Sequence, residues 1–296
     1  MLSLSLLSVA LTLGPTLVSA GLFAKNSGVT MLDPKAFRKV MKANETSMVA
    51  FVAPWCGHCQ RMTPEFSKAA KNMSPLVPFY AIDCDDDKNK PLCAEQGVQG
   101  FPTVKVFPRG KDLAPMVYQG ERTAGAFVKY VSLRVPHANN AKLSSVDDVE
   151  AWVDKTSESS KPRALLLTKE KKVPLLWKVL SNRYTGQIEM GVHKDEDGKS
   201  AGKLLGVEGG EGSKVLVYKT GETTPTRYEG KTKFEPLSTF FNDLIDSSDN
   251  ASEDDAKTEK REEKEKKEKK KGRKEKKGEK AESGGDEKAG HHTDEL

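Results

Sequence analysis

The stretch Ala53-Pro54-Trp55-Cys56-Gly57-His58-Cys59 decides the fold, because it places two cysteines two residues apart directly after the apolar run 49–52. A short apolar run followed by such a pair predicts a buried strand, a turn and then a helix. The first sulfur then lies at the helix N-terminus, where the partial positive charge lowers the pKa of a thiol. The pattern therefore predicts a reactive thiolate at Cys56.

Pairs of cysteines at this spacing also occur in haem attachment sites and structural zinc sites. Haem attachment requires a histidine after the second cysteine, and here Gln60 follows. A zinc site needs four soft ligands, usually as two such pairs, but Cys84 and Cys93 do not form a second pair of this spacing. We therefore expect a redox pair, with no metal and no cofactor.

Three segments resemble the protein disulfide isomerase family of the thioredoxin superfamily. They are the motif at 53–59, Gly97-Val98-Gln99-Gly100-Phe101-Pro102-Thr103 and Tyr118-Gln119-Gly120-Glu121-Arg122-Thr123, in the order and spacing of the family. The resemblance covers roughly residues 28–136 and is strongest to small fungal members with one catalytic domain. It implies a thioredoxin fold and thiol–disulfide exchange.

The resemblance also assigns roles to the matching residues. Cys56 is expected to attack a substrate disulfide, Cys59 to resolve the mixed disulfide, and His58 to stabilise the Cys56 thiolate. That stabilisation makes the disulfide of the pair oxidising, nearer the roughly −180 mV of disulfide isomerase than the roughly −270 mV of thioredoxin. The positions expected to support the two cysteines are Trp55, Gly57, His58, Phe101, Pro102 and Arg122.

Two of these supporting positions carry specific expectations. Pro102 resembles the cis proline of the family, beside which the backbone pairs with an extended substrate strand. Arg122 resembles an arginine that lowers the pKa of the buried second cysteine. A surface salt bridge would explain a charge at this position equally well.

The chain departs from the family pattern on the strand before the motif. Family members commonly carry a glutamate there, but here the run is Val49-Ala50-Phe51-Val52, and Ala81 stands where some relatives have a lysine. We interpret the two alanines as an apolar replacement of a buried ion pair, which is often neutral for stability. The expected cost falls on proton transfer from Cys59.

Cys84 and Cys93 are the remaining cysteines. An even number of cysteines in an oxidising compartment favours a disulfide. On the implied fold the two residues lie at a strand end and at the start of the next helix. Two buried thiols packing as small apolar side chains are the alternative.

The second half of the chain echoes the first at an offset of about 110 residues. Segments 206–209, 214–218 and 228–231 repeat the pattern of 97–100, 103–107 and 118–121. These echoes predict a second thioredoxin-like fold. It has no cysteine and no proline at the position of Pro102, so we expect either substrate binding or a spacer there, without redox chemistry.

Both ends of the chain resemble sequences that direct a protein to a cellular compartment. Residues 1–20 are almost wholly apolar and close with Val18-Ser19-Ala20, which predicts a signal peptide. A membrane anchor is the competing interpretation, but the run is short and contains Gly14-Pro15. Thr293, Asp294, Glu295 and Leu296 resemble the retrieval signals of the endoplasmic reticulum. We expect a protein of that lumen, not inserted in the membrane, with the retrieval receptor as one partner.

Charge distinguishes the C-terminal segment from the rest. Residues 251–296 contain fifteen Lys/Arg and fifteen Asp/Glu. A segment with so little apolar surface is predicted to be disordered, either as a solvated spacer or as a binding arm for an acidic partner. The net charge of +5 for the whole chain is too small to indicate nucleic-acid binding.

The expected fold class is α/β, with two tandem thioredoxin-like domains, each a central mixed sheet flanked by helices. The expected boundaries are a signal peptide at 1–20, a catalytic domain at 21–137, a non-catalytic domain at 138–248 and a disordered tail at 249–296. Sequons at Asn44, Asn72 and Asn250 are candidate glycosylation sites.

The expected function is thiol–disulfide exchange on unfolded secretory proteins, with re-oxidation by a thiol oxidase of the endoplasmic reticulum. A chaperone or adaptor that binds unfolded clients, with secondary redox activity, is the alternative.

Overall fold

The structure, a computed structural model, describes residues 22–43, 45–137, 139–157, 161–205 and 212–247. The expected signal peptide, the charged tail with its retrieval signal, and the sequons at Asn44 and Asn250 lie outside these residues. The described chain forms two compact units. One comprises the chain up to Lys142 together with Glu170–Thr185, and the other comprises Leu143–Lys169 and the chain from Gly186.

The N-terminal half forms a five-stranded sheet with helices on both faces. Its elements are β1 (Val29–Met31), α1 (Pro34–Met41), β2 (Ser47–Val52), α2 (Gly57–Met73), β3 (Phe79–Asp83), α3 (Lys90–Glu95), β4 (Thr103–Phe107), β5 (Met116–Val117) and α4 (Ala124–Arg134). The strand order is β1-β3-β2-β4-β5. β3 runs parallel to β1 and β2, whereas β4 is antiparallel to β2 and to β5.

The C-terminal half repeats this topology. Its elements are β6 (Asn140–Leu143), α5 (Val146–Ser157), β7 (Arg163–Thr168), α6 (Leu175–Arg183), β8 (Glu189–Lys194), α7 (Lys199–Leu205), β9 (Lys214–Tyr218), β10 (Thr226–Arg227) and α8 at 234–247. The strand order β6-β8-β7-β9-β10 matches the first sheet strand for strand. β7 runs parallel to β8 and antiparallel to β9, and β9 is antiparallel to β10. The prediction of two tandem thioredoxin-like folds is confirmed.

The central strand β2 directly precedes the cysteine motif, and all six of its residues are buried. Side chains alternate along a strand, so Met48, Ala50 and Val52 face a core that includes residues of α2 and α4. Val49 and Phe51 face a second core with residues of α1 and α3. Helices on both faces of the sheet explain why the run before the motif is continuously apolar.

Helix α6 belongs by its contacts to the first unit, where Leu175 and Val179 pack against the core that contains α2. The domain boundaries expected at residues 20, 137 and 248 stay predictions. None of the helices in the described ranges combines the length and the hydropathy that a membrane span requires.

Candidate functional site

The two cysteines of the motif lie in the first turn of α2. Cys56 is the N-cap residue, with an extended backbone (φ −77°, ψ 110°), and its sulfur accepts a hydrogen bond from the Cys59 amide at 3.4 Å. N-cap side chains usually accept this bond through oxygen. Here the nucleophile candidate itself caps the helix, so the partial positive charge of the helix N-terminus acts directly on its sulfur. Both cysteines are free thiols.

The surroundings of Cys56 favour its thiolate. Burial raises the pKa of this thiol, whose residue is only 8% exposed. Hydrogen bonds from the Cys59 thiol and from the backbone of Cys59 and His58 lower the pKa, as does the positive charge of Arg122. The balance places the pKa of Cys56 below its ordinary value.

The Cys59 thiol is shifted in the opposite direction. It has no solvent exposure, and burial is the main cause that raises its pKa to about 12. The Cys56 thiol raises it further, while the Ala53 backbone and the Arg122 charge lower it. One cysteine is therefore poised as a nucleophile, and the other is held as a protonated thiol.

Alanines occupy the two positions at which the family resemblance implies a glutamate and a lysine. Ala50 of β2 and Ala81 of β3 are direct partners in the sheet, and neither has any solvent exposure. Both lie in the same apolar core as Cys59. At these two positions, no side chain can take the proton of Cys59.

An aromatic surface lies beside Cys56. Trp55 is 67% exposed, and its ring contacts that of Phe101 edge-to-face, with 6.0 Å between centroids. The Cys56 thiol donates to the Phe101 carbonyl at 3.5 Å, and the peptide bond from Phe101 to Pro102 is cis. Large exposed aromatic side chains commonly mark binding surfaces. Gly57 and His58 are exposed at the same turn.

Arg122 lies exposed on the loop between β5 and α4, and its charge lowers the pKa of both cysteines. No ion pair involves Arg122 within the described part of the chain. The loop is closed by Tyr118, whose hydroxyl donates to the Glu121 carbonyl at 2.5 Å. Gly120 permits this closure, since a Cβ there would lie 2.5 Å from the Tyr118 hydroxyl.

Glu65 joins this loop to the helix that carries the cysteines. Its carboxylate accepts a hydrogen bond from the Ala124 amide, the first amide of α4, at 2.8 Å. The sequence alone does not indicate this contact. A carboxylate six residues after Cys59 is a visible signal, but only the packing of α2 against α4 reveals its partner.

Cys84 and Cys93 are joined by a disulfide with an S–S distance of 2.01 Å. Cys84 directly follows β3 and Cys93 lies in α3, and both are buried in the core on the opposite face of the sheet from α2. Asn72, the sequon within the described residues, lies exposed near the end of α2.

The corresponding positions of the second half carry other residues. The connection from β7 to α6 contains no cysteine, and Ser213 precedes β9 where Pro102 precedes β4. The loop that Tyr118 closes in the first half has a counterpart here, because the Tyr228 hydroxyl donates to the Lys231 carbonyl at 3.3 Å. We call each of these two closed turns the tyrosine loop. Thr232 stands where the first half has Arg122.

Comparison with known proteins agrees with this geometry. Residues 28–133 match the family model described as Thioredoxin. These residues form a thioredoxin domain, and the chain is similar to proteins named as protein disulfide isomerases. A protein disulfide-isomerase of Saccharomyces cerevisiae is 33% identical over 177 residues, which cover 54% of this chain and 54% of that protein.

Two further relatives extend the comparison. A thioredoxin domain-containing protein of Schizosaccharomyces pombe, named as mitochondrial, is 38% identical over 162 residues, 54% of this chain and 44% of that protein. A protein disulfide isomerase-like protein of Oryza sativa is 32% identical over 257 residues, 76% of this chain and 56% of that protein. The chain thus spans about half the length of these three relatives.

Proposed function

We propose that the chain is a thiol–disulfide oxidoreductase and isomerase that forms and rearranges disulfides in secretory proteins within the endoplasmic reticulum. The observation that carries this proposal is the placement of the two thiols: Cys56 caps α2 and accepts a hydrogen bond from the Cys59 amide, whereas Cys59 is buried without solvent exposure. The pKa is accordingly lowered at Cys56 and raised to about 12 at Cys59. In such a pair, one thiolate can act as a nucleophile while the neighbouring thiol stays protonated. The names of the relatives support the same chemistry.

In the proposed reaction, the Cys56 thiolate attacks one sulfur of a substrate disulfide. The substrate S–S bond breaks, a mixed disulfide forms with Cys56, and the other substrate sulfur leaves as a thiolate. That thiolate can attack a further disulfide of the substrate, and a substrate thiolate finally displaces Cys56. The sequence rearranges disulfides with no net oxidation or reduction.

Cys59 supplies the second route. Once deprotonated, it attacks the Cys56 sulfur, the substrate is released as a dithiol, and the Cys56–Cys59 disulfide remains. Run in reverse, the same steps oxidise a substrate dithiol, and a thiol oxidase of the compartment then restores the disulfide. Because burial keeps Cys59 protonated, the mixed disulfide persists long enough for the substrate to rearrange.

The aromatic surface of Trp55 and Phe101 is the proposed docking site for substrate. Trp55 is exposed, Phe101 is half-buried and accepts from the Cys56 thiol through its carbonyl, and Pro102 follows it directly. An extended substrate strand pairing with that backbone would bring its disulfide to the Cys56 sulfur.

The proposed location rests on the two chain ends. Residues 1–20 have the pattern of a secretory signal, and Thr293-Asp294-Glu295-Leu296 resembles a retrieval signal for a receptor. A fluorescent fusion placed after Ala20 should colocalise with a marker of the endoplasmic reticulum. A mitochondrial pattern, in line with the name of the Schizosaccharomyces pombe relative, would contradict the location but not the chemistry.

Refolding of scrambled ribonuclease tests the activity. The chain without residues 1–20 should restore ribonuclease activity, and the Cys56→Ala, Cys59→Ala variant should not. The matched control, Cys84→Ala with Cys93→Ala, removes the same number of sulfurs outside the motif and should retain activity if it folds. Equal refolding by the Cys56→Ala, Cys59→Ala variant would contradict the proposal and favour a chaperone or adaptor.

A further inference from the structure

We propose, as an extension that rests on the proposed function, that Glu65 is a positioning residue. By holding the Ala124 amide from the catalytic helix, its carboxylate fixes the loop that presents Arg122 to the two cysteines.

The contact joins segments that are far apart in sequence. Glu65 lies in α2, the helix that Cys56 caps, and it accepts the Ala124 amide of α4 at 2.8 Å. Ala124 is buried and begins α4 only two residues after Arg122. A carboxylate at a helix N-terminus is favoured both by the hydrogen bond and by the helix dipole. The bond therefore sets the point at which the Arg122 loop enters α4.

The other side of Arg122 is also anchored. The Tyr118 hydroxyl holds the Glu121 carbonyl at 2.5 Å, and the Tyr118 ring packs against Phe127 of α4, with 5.0 Å between centroids. Backbone groups just before and just after Arg122 are thus tied down. These backbone anchors limit the region that the exposed Arg122 side chain can reach.

Helix α2 is therefore capped by Cys56, contains Cys59 and also carries Glu65, which anchors the loop that bears the Arg122 charge. The Arg122 charge favours the thiolate of Cys56 and of Cys59. Without the Glu65 anchor, the loop can swing into solvent, and the charge spends less time near the sulfurs. Distance then weakens its effect, because water screens exposed charges strongly.

The experiment measures the pKa of Cys56 in the reduced protein by the ultraviolet absorbance of its thiolate. For Glu65→Ala we expect the pKa to rise by about half a unit to one unit, a roughly 3- to 10-fold loss of thiolate at a pH below the pKa. Glu65→Gln keeps an acceptor oxygen and should remain near wild type. Asp33→Ala, which removes the N-cap of α1 that holds the Ala36 amide at 2.7 Å, is the matched control and should leave the pKa unchanged.

The sign of the shift separates positioning from simple charge. Loss of a nearby negative charge alone would lower the pKa of a thiol, whereas loss of the anchor raises it. A lowered pKa in Glu65→Ala, or equal shifts in Glu65→Ala and Glu65→Gln, would overturn the inference. If Glu65→Ala does not fold, Glu65→Asp provides the same comparison with a carboxylate that is too short to reach.

A double-mutant cycle with Arg122→Ala completes the test. If Glu65 acts through Arg122, Glu65→Ala should cause no further shift in the Arg122→Ala background. An undiminished shift there would contradict the mechanism. The pKa measurement uses no substrate. A protein without isomerase activity could still show the Glu65 effect, so failure of the proposed function would be recognised separately from failure of this inference.

Discussion

At the scale of single residues, the two thiols of the motif are affected by the same arginine charge but differ in solvent exposure. The Arg122 charge lowers the pKa of both, yet only Cys59 is buried without any exposure, and burial dominates its shift. The hydrogen bonds from the start of α2 then favour an anion at Cys56. The two thiols have opposite pKa shifts because Cys56 caps the helix and Cys59 packs beneath it.

The raised pKa of Cys59 leads to a pH prediction. Below a pKa of about 12, the thiolate fraction grows about tenfold for each pH unit. In the mixed disulfide the Cys56 contributions disappear, but burial, the largest cause, remains. Release of a glutathione mixed disulfide by Cys59 should therefore accelerate about tenfold per unit between pH 6 and 8, measured by single-turnover quench. A rate that levels off within this range would contradict a buried, unassisted Cys59.

Ala50→Glu should restore a proton acceptor beneath the motif. A carboxylate there can take the proton of Cys59, and we expect release from the mixed disulfide to accelerate by a few-fold to roughly tenfold, below the usual gain from a well-placed base. The new carboxyl would be buried beside Ala81 without a lysine, so we expect a loss of about 1 to 3 kcal/mol in the free energy of unfolding.

Both halves of the Ala50→Glu prediction are measured on one protein. Stopped-flow single-turnover kinetics give the release rate, and urea denaturation gives the stability. Ala164→Glu is the matched control, because Ala164 is a buried alanine of the central strand β7 and should affect stability alone. An unchanged rate in folded Ala50→Glu would mean that this position does not communicate with Cys59.

At the scale of elements, the same tyrosine loop occurs in both halves, but only one copy carries an arginine. Gly120 and Gly230 each leave room for a tyrosine hydroxyl that closes the loop. We expect Gly120→Ala and Gly230→Ala to destabilise their units similarly, by about 1 to 3 kcal/mol, through overpacking.

Only the first substitution should alter the chemistry of the thiols. Gly120→Ala disturbs the loop with Arg122 and should raise the pKa of Cys56, whereas Thr232 occupies that place near Gly230. Thermal melts and the pH dependence of Cys56 alkylation compare the two variants. An equal pKa change in both, or none in Gly120→Ala, would show that the loop does not position the charge.

The sequence predicted elements better than the contacts between them. A strand segment and the tyrosine loop recur at an offset of about 110 residues, and local patterns of this kind predicted the second fold. The bond between Glu65 and Ala124 spans 59 residues, so no local pattern reveals it. The attachment of α6 to the first unit likewise depends on which apolar face finds a partner, and the sequence does not specify that partner.

At the scale of the whole molecule, catalysis and address are predicted to be separable. The segment 251–296 contains no cysteine and few apolar residues, while it does contain the retrieval-like end. Deletion of residues 251–296 should leave ribonuclease refolding nearly unchanged and send the protein into the culture medium. Loss of most refolding activity in the truncated protein would instead indicate that the basic run contributes to function.

The reduction potential of the Cys56/Cys59 pair tests the central claim most directly. The helix N-terminus and Arg122 stabilise the Cys56 thiolate, and a stabilised thiolate favours the reduced pair, which makes its disulfide oxidising. Equilibration with glutathione buffers, read by mass spectrometry after alkylation, should give a value near roughly −180 mV. A value near roughly −270 mV would identify a reductase and contradict the proposed oxidase and isomerase chemistry.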